Sequence, residues 1–333
     1  MRSKHLLAGA IFLIILVISI MGGLTVGSFD FSLGEIARAL AGQEIENREI
    51  IVELRLPRLL LAACTGGVLA LSGFFMQALI KNPLADPYIM GVTAGAGFGV
   101  NLLILGIIPI AGFTLFTTPL FAATGSLASL ILVLGLGYRS IWEDNPKLLI
   151  AGVAVSSIFT AMTGVLIYRF AESDQVRRLV FWTFGSFGHA TPESVGICFP
   201  LLVGVLIFGL IYSRKMDILI LGDLSAKTLG MNVPRVKMAL LLVSSLAVGI
   251  TVAFTGPIGF VGMMIPHFCR ALLGATHRPN ILLGTLMGAG FLTACDVLGR
   301  IILPPAGLPT GIITAILGVP FFLYVLFSRR NYL

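Results

Sequence analysis

Residues 77–97 read QALIKNPLADPYIMGVTAGAG, a polar, helix-breaking interruption in a chain that is otherwise close to unbroken hydrocarbon. Lysine, asparagine, aspartate and two prolines crowd between Lys81 and Pro87. What flanks them decides the fold class. The 333-residue chain is 57% hydrophobic and 11% charged, with a mean hydropathy of +1.02. A soluble domain carries about 25% charged residues, so most of this surface faces something other than water. A bilayer-spanning helix needs about 20 apolar residues, and many such runs are present. A transmembrane barrel would read as short alternating segments, and the chain has none. The expected class is an all-α polytopic membrane protein. Proline ends helices and restricts the residue before it. Asn82, Pro83, Asp86 and Pro87 therefore read as a tight cytoplasmic turn between two spans, with Asn82 or Asp86 capping the returning helix. The turn reads as a structural corner, with a direct gating role as the alternative.

Working outward, polar breaks divide the chain into ten predicted spans: 6–26, 57–80, 88–108, 114–137, 147–168, 193–212, 237–254, 257–273, 280–297 and 307–327. Those at 88–108 and 257–273 are rich in glycine and proline and read as broken or re-entrant. The first run exceeds the 7–15 residues of a signal h-region and reads as a retained span. Lys and Arg in short loops favour the cytoplasm. With ten spans both termini share a side, and that side holds fourteen of the 22 Lys and Arg but five of the 15 acids. Both termini are predicted cytoplasmic. The net charge of +7 follows from this asymmetry and needs no nucleic-acid partner.

The chain reads as a single membrane domain, 1–333, with an outer segment at 28–56 and an inner loop at 213–236. The outer segment has helical potential in FSLGEIARAL. A second outer segment, 169–192, contains Trp182 and a small-residue turn. The inner loop, SRKMDILILGDLSAKTLGMNVPRV, is too polar to span and too apolar for a free linker. It reads as two short helical turns broken at Gly222, with Leu219, Leu221, Leu224 and Leu229 available for one docking face. Such an element contacts the membrane surface, packs on its own chain, or meets a partner.

Chemistry is conspicuous by its absence. No GxxxxGK[ST] cradles phosphate, and no HExxH or GxSxG is present, so no catalytic residue is assigned. Cys64, Cys198, Cys269 and Cys295 lie apart in apolar surroundings, without metal-ligand spacing, and read as small buried residues. No metal site is assigned. Charges inside spans are costly and usually functional, yet almost none sits at mid-depth. Asp296 and Asp86 lie near opposite ends. An ion-coupled carrier places an ionisable group or unwound ion site near the midplane. The pattern favours a conduit without its own energy source, with a secondary carrier using backbone carbonyls as the alternative.

Several motifs carry a resemblance. They are ELRLPRLLLA (53–62), GGVLALSGFFMQALIKNPLADPYIMGVTAGAGFG (66–99), LLIAGVAVSSIF (148–159), FWTFGSF (181–187), LGDLSAKTLGMNV (221–233), GPIGFVGMMIPHFCRALLGATHRPNILLGTLMGAGFLTACDVLGR (256–300) and LPTGIITAILGVPFFLYVLFSRR (308–330). In this order and at these spacings the chain resembles, nearly end to end, the FecCD-type permeases. These are membrane subunits of type II ABC importers for iron chelates, haem and cobalamin. The resemblance implies ten helices per subunit, a homodimer with a central pathway, two ATPase subunits inside and one binding protein outside. ATP and Mg then sit on the partner ATPase and this chain binds no cofactor.

The resemblance also implies roles. Arg55, Arg58 and Arg300 match outer arginines that receive carboxylates of the binding protein, a task suited to the planar guanidinium fork. Gly222, Asp223, Leu224, Ala226, Leu229 and Gly230 match the element that sits in the ATPase cleft. The pathway is expected to be lined by apolar and small residues, since transport needs release as much as binding. The candidates are Met76, Leu79, Ser156, Thr160 and Thr163. Two departures stand out: AGLPTG, with Ala306, Gly307 and Thr310, lacks an acid that many relatives have, and GATHR has Thr276 where an acid is usual. The expected function is import of an iron chelate, ferric siderophore first and haem, cobalamin or another metal oxyanion or chelate otherwise, across a bacterial or archaeal cytoplasmic membrane.

Overall fold

The structure is a computed structural model and describes residues 2–27, 29–108, 117–142, 147–304 and 306–327. Among the described residues there is no strand. The helices are α1 (Arg2–Thr25), α2 (Leu33–Leu40), α3 (Leu56–Ile80), α4 (Val92–Ile104), α5 (Thr117–Trp142), α6 (Lys147–Phe170), α7 (Ser173–Thr183), α8 (Pro192–Ile220), α9 (Asp223–Thr228), α10 (Val233–Thr255), α11 (Val261–Leu273), α12 (His277–Ile302) and α13 (Thr310–Phe327). Among the described residues, seven (α1, α3, α5, α6, α8, α10 and α12) are long and apolar enough to cross a membrane, and α4, α11 and α13 are shorter apolar helices. Each of the ten expected spans therefore carries an apolar helix.

The helix that precedes the opening stretch is the hub of the bundle. α3 is buried on every side, from Leu59 and Leu61 through Phe74, Phe75 and Met76, as a helix apolar all round must be. It packs against α8, α10, α11 and α12. Lipid is as apolar as leucine, so helices associate by close van der Waals packing rather than by hydrophobic drive. The α3–α12 contact shows how close: a Cβ on Gly66 would lie 2.2 Å from the Gly288 carbonyl oxygen, and one on Gly288 would lie 2.4 Å from that of Gly66. α1 is peripheral, with 17% of its apolar window buried.

Several boundaries differ from expectation for physical reasons. The second span begins earlier, because a π-helical turn, Ile50–Arg55, runs straight into α3. α8 continues to Ile220, so the first eight residues of the expected inner loop are helix; Ser213, Met216 and Leu219 recur every three residues as its buried stripe. Residues 173–183 form α7, which the sequence reading left without structure. Within the expected outer segment, FSLGEIARAL does form α2. Ser32 opens it with a capping box closed by Glu35, which satisfies two otherwise orphaned backbone donors.

α4 and α11 have 13 residues each, about 20 Å of helix against a hydrocarbon core of about 30 Å. Each is prolonged by non-α backbone: a 3-10 turn, Pro87–Met90, before α4, and residues 256–260 before α11. These are the two spans read as broken. The bundle thus has one end carrying residues 81–86, α9 and the α11–α12 connection (the α9 end). The opposite end carries α2, α7 and residues 303–309 (the α7 end).

Candidate functional site

At the α9 end the turn after α3 closes with Lys81 in the left-handed region, φ 55°. Asn82 Oδ1 accepts from Leu84 N at 2.9 Å, and Asp86 Oδ1 accepts from Tyr88 N at 2.9 Å. Asp86 thereby caps the 3-10 turn, not α4 itself. Burial pushes its carboxyl up to about 6, against the pull of that hydrogen bond. The Tyr88 hydroxyl donates to Ile258 O at 2.9 Å and accepts from Ile258 N at 3.0 Å. One phenol therefore ties the two stretches of non-α backbone together. Only their proximity in space reveals this, since 170 residues separate the partners.

α9 lies beside this turn. Gly222 (φ 106°) and Gly230 (φ 79°) flank it, in conformations open to glycine but strained for other residues. Asp223, the first residue of α9, sits 2.7 Å from Lys81 Nζ and pairs through its other oxygen with Lys237 on α10. Ala226 is buried against the bundle, whereas Leu221, Leu224 and Leu229 are 65%, 78% and 64% exposed. Leu219, expected on the same face, belongs instead to the buried stripe of α8. Asp217, on the extension of α8, accepts from the backbone of His277 at 2.9 Å and lies 2.7 Å from its Nδ1. That contact fixes the start of α12.

At the α7 end, Asp296 is fully buried and organises a cluster. Arg58 meets it with two nitrogens, Nη2 at 2.8 Å from Oδ1 and Nε at 2.9 Å from Oδ2. Thr310 Oγ1 donates to Oδ1 at 3.0 Å. Arg300 approaches Oδ2 at 3.7 Å and donates to the Gly23 carbonyl at 2.9 Å. Thr310, one of the departures noted in the sequence, thus serves the carboxylate of a neighbouring helix. Arg55 departs from its expected place: it is 6% exposed and turned inward. Its guanidinium donates to Leu24 O at 2.6 Å and to Phe29 O, and it lies over the Phe31 ring. A side chain held by two main-chain carbonyls ties Leu24 and Phe29 to the turn that precedes α3.

Beside the cluster opens a cavity of about 680 Å³, walled by α7, the ends of α4 and α10, and residues 306–309. Arg58, Arg177, Arg178, Trp182 and His189 line it. The expected lining residues fall differently. Met76 and Leu79 are buried inside the hub, 0% and 7% exposed, because glycines let four helices close around α3. Ser156 and Thr163 are half-buried and Thr160 is exposed, all on α6. α7 supplies most of the charged lining, and its mixed Asp-Arg-Phe-Trp composition is the signal that could have marked it.

Known proteins share this architecture and sequence. A solved structure assigned to the metal-chelate type of ABC transporter, in an inward-facing conformation, superposes with a TM-score of 0.84 at 29% identity, covering 97% of this chain and 99% of that one. A hemin transport system permease protein of Yersinia pestis is 36% identical over 324 residues, 96% of this chain and 95% of that protein. An Fe(3+) dicitrate transport system permease protein of Escherichia coli is 36% identical over 287 residues, 86% and 87% of the two chains. Residues 13–328 match the FecCD transport family, and the chain belongs to that family.

Proposed function

We propose that this chain is the membrane-spanning permease of a binding-protein-dependent ABC importer, and that it carries a metal chelate, ferric siderophore first, with haem and cobalamin as alternative cargoes. The single observation that carries the reading is the construction of α9. Leu224 on it and Leu221 and Leu229 beside it point outward, while Asp223 holds it to the turn at residues 81–86 and to α10. A six-residue helix is too short to be stable alone. Its rigid mounting suits a part that receives force from a partner.

In this reading two copies of the chain enclose the pathway and two separate ATPase subunits seat Leu221, Leu224 and Leu229. Both termini lie in the cytoplasm and the α7 end faces outward. Hydrolysis occurs on the partner chains, which hold ATP and Mg; this chain binds no cofactor and does no covalent chemistry. A displacement of α9 reaches residues 81–86 through Asp223 and Lys81, and from there the two broken spans through Tyr88 and Ile258. Broken spans suit such motion, since non-α backbone rearranges without disrupting a whole helical ladder. Arg58 and Arg300 stand nearest the expected docking site of the binding protein. Ser156, Thr160 and Thr163 on α6 remain the candidates for the pathway wall.

The test is uptake into proteoliposomes containing the chain, its ATPase and its binding protein, with ATP inside. Labelled ferric siderophores, haem and cobalamin form the panel. ATP-dependent accumulation of one of them is expected. Accumulation without ATP, driven by an ion gradient, overturns the reading and establishes a secondary carrier.

A further inference from the structure

The cavity at the α7 end has a charge that its volume does not require. Arg58, Arg177 and Arg178 line it together with Asp174 and His189. Asp174 lies 3.5 Å from Arg178. Arg177 pairs with no carboxylate among the described residues, and its guanidinium lies over the Phe181 ring, 5.8 Å from the centroid. Beside the cavity lies the buried cluster of Arg58, Asp296 and Arg300. There a single carboxylate, Asp296, serves both Arg58 and Arg300, which leaves one positive charge in surplus. Three arginines against one aspartate leave the cavity lining net positive.

We infer that this cavity is a subsite for an anionic, carboxylate-bearing chelate on its way into the pathway. The inference rests on the importer reading and deepens it by naming the substrate class. Arginine accepts a carboxylate with two parallel hydrogen bonds. Low-dielectric walls focus the field of like charges on an entering anion. About 680 Å³ falls within the 300–1,000 Å³ of small-molecule sites. Trp182 supplies a flat apolar face beside the arginines. A cationic chelate of the same size meets repulsion at the same wall. Selectivity of this kind arises from a repulsive element as much as from an attractive one.

Trp182 is also the reporter. The chain has two tryptophans, so Trp142→Phe leaves Trp182 alone. The full chain, in nanodiscs without ATP, is titrated with ferric citrate as the anion and with a cationic ferric trihydroxamate. Saturable quenching by ferric citrate is expected, weakening as salt rises. The Arg177→Gln/Arg178→Gln pair should bind it roughly tenfold more weakly, and Arg177→Lys/Arg178→Lys should restore part of the loss. Equal quenching by both chelates, insensitivity to salt, or wild-type affinity in the Gln pair overturns the inference. Should the Gln pair not fold, the chelate comparison and salt series on the Trp142→Phe chain decide it. ATP-driven uptake by the parent chain is measured in parallel. Uptake with no charge preference sinks the subsite and leaves the importer standing, whereas absent ATP dependence sinks the importer reading itself.

Discussion

Asp296→Asn keeps the shape of the buried cluster and removes its only negative charge. In the parent protein one carboxylate balances two guanidiniums, with Arg58 at 21% and Arg300 at 14% side-chain exposure and Asp296 at 0%. Breaking a buried pair costs about 3–5 kcal/mol, chiefly because the surviving charge stays buried. Here two survive, yet both reach some solvent, so the lower value of about 3 kcal/mol applies. Unfolding entropy near 2.1 cal/mol/K per residue, over 333 residues, gives about 0.7 kcal/mol/K. The expected fall in Tm is therefore about 4 °C. It is larger to the extent that helices persist in the unfolded membrane state and lower the entropy. Thermal unfolding in nanodiscs, read by tryptophan fluorescence, measures it. Adding Arg58→Met to Asp296→Leu should recover part of the loss, since an ion pair replaced whole by apolar groups is often neutral. Recovery stays partial because Arg300 remains. A shift below about 1 °C for Asp296→Asn would refute the assignment of Asp296 as the centre of the cluster.

Other outcomes follow from the same geometry. Leu224→Asp should leave Tm nearly unchanged, since the side chain is 78% exposed and such surface changes stay within about 0.5 kcal/mol; it should abolish co-purification with the ATPase, and retained assembly would count against α9 as the contact. Asp86 titrates near 6, raised by burial from 3.8, so the folded state favours the protonated acid. Its contribution to stability is full below about pH 4 and is lost as pH rises through about 6; Asp86→Asn should flatten that slope in a Tm–pH series, and an unchanged slope would remove Asp86 as its source. A Cβ at Gly73 would lie 1.9 Å from the Gly262 carbonyl oxygen, and contacts under 3.0 Å force a shift. Gly73→Ala should therefore move the start of α11 by at least about 1.1 Å (3.0 minus 1.9) and cost about 1–3 kcal/mol, readable as lost protection from hydrogen exchange on α11.

Sequence alone determined the class, the ten apolar helices, the two broken spans, the turn at residues 81–86 and, through its motifs, the family. These features are local. A run of 20 apolar residues, or an Asn-Pro followed by an Asp-Pro, carries its meaning in its own backbone chemistry. α7 escaped because a short, charged helix lying across one end of a bundle has no apolar period to betray it. The inward turn of Arg55, the burial of Leu219 and the enclosure of Met76 and Leu79 were decided only by tertiary structure. In a soluble protein, hydropathy separates inside from outside. In this chain the faces toward lipid and toward neighbouring helices are equally apolar, so composition cannot say which leucine or methionine faces which. The ion cluster shows the same limit: Arg58 and Asp296 are 238 residues apart, and only the close glycine-mediated contact of α3 with α12 brings them within a hydrogen bond of each other.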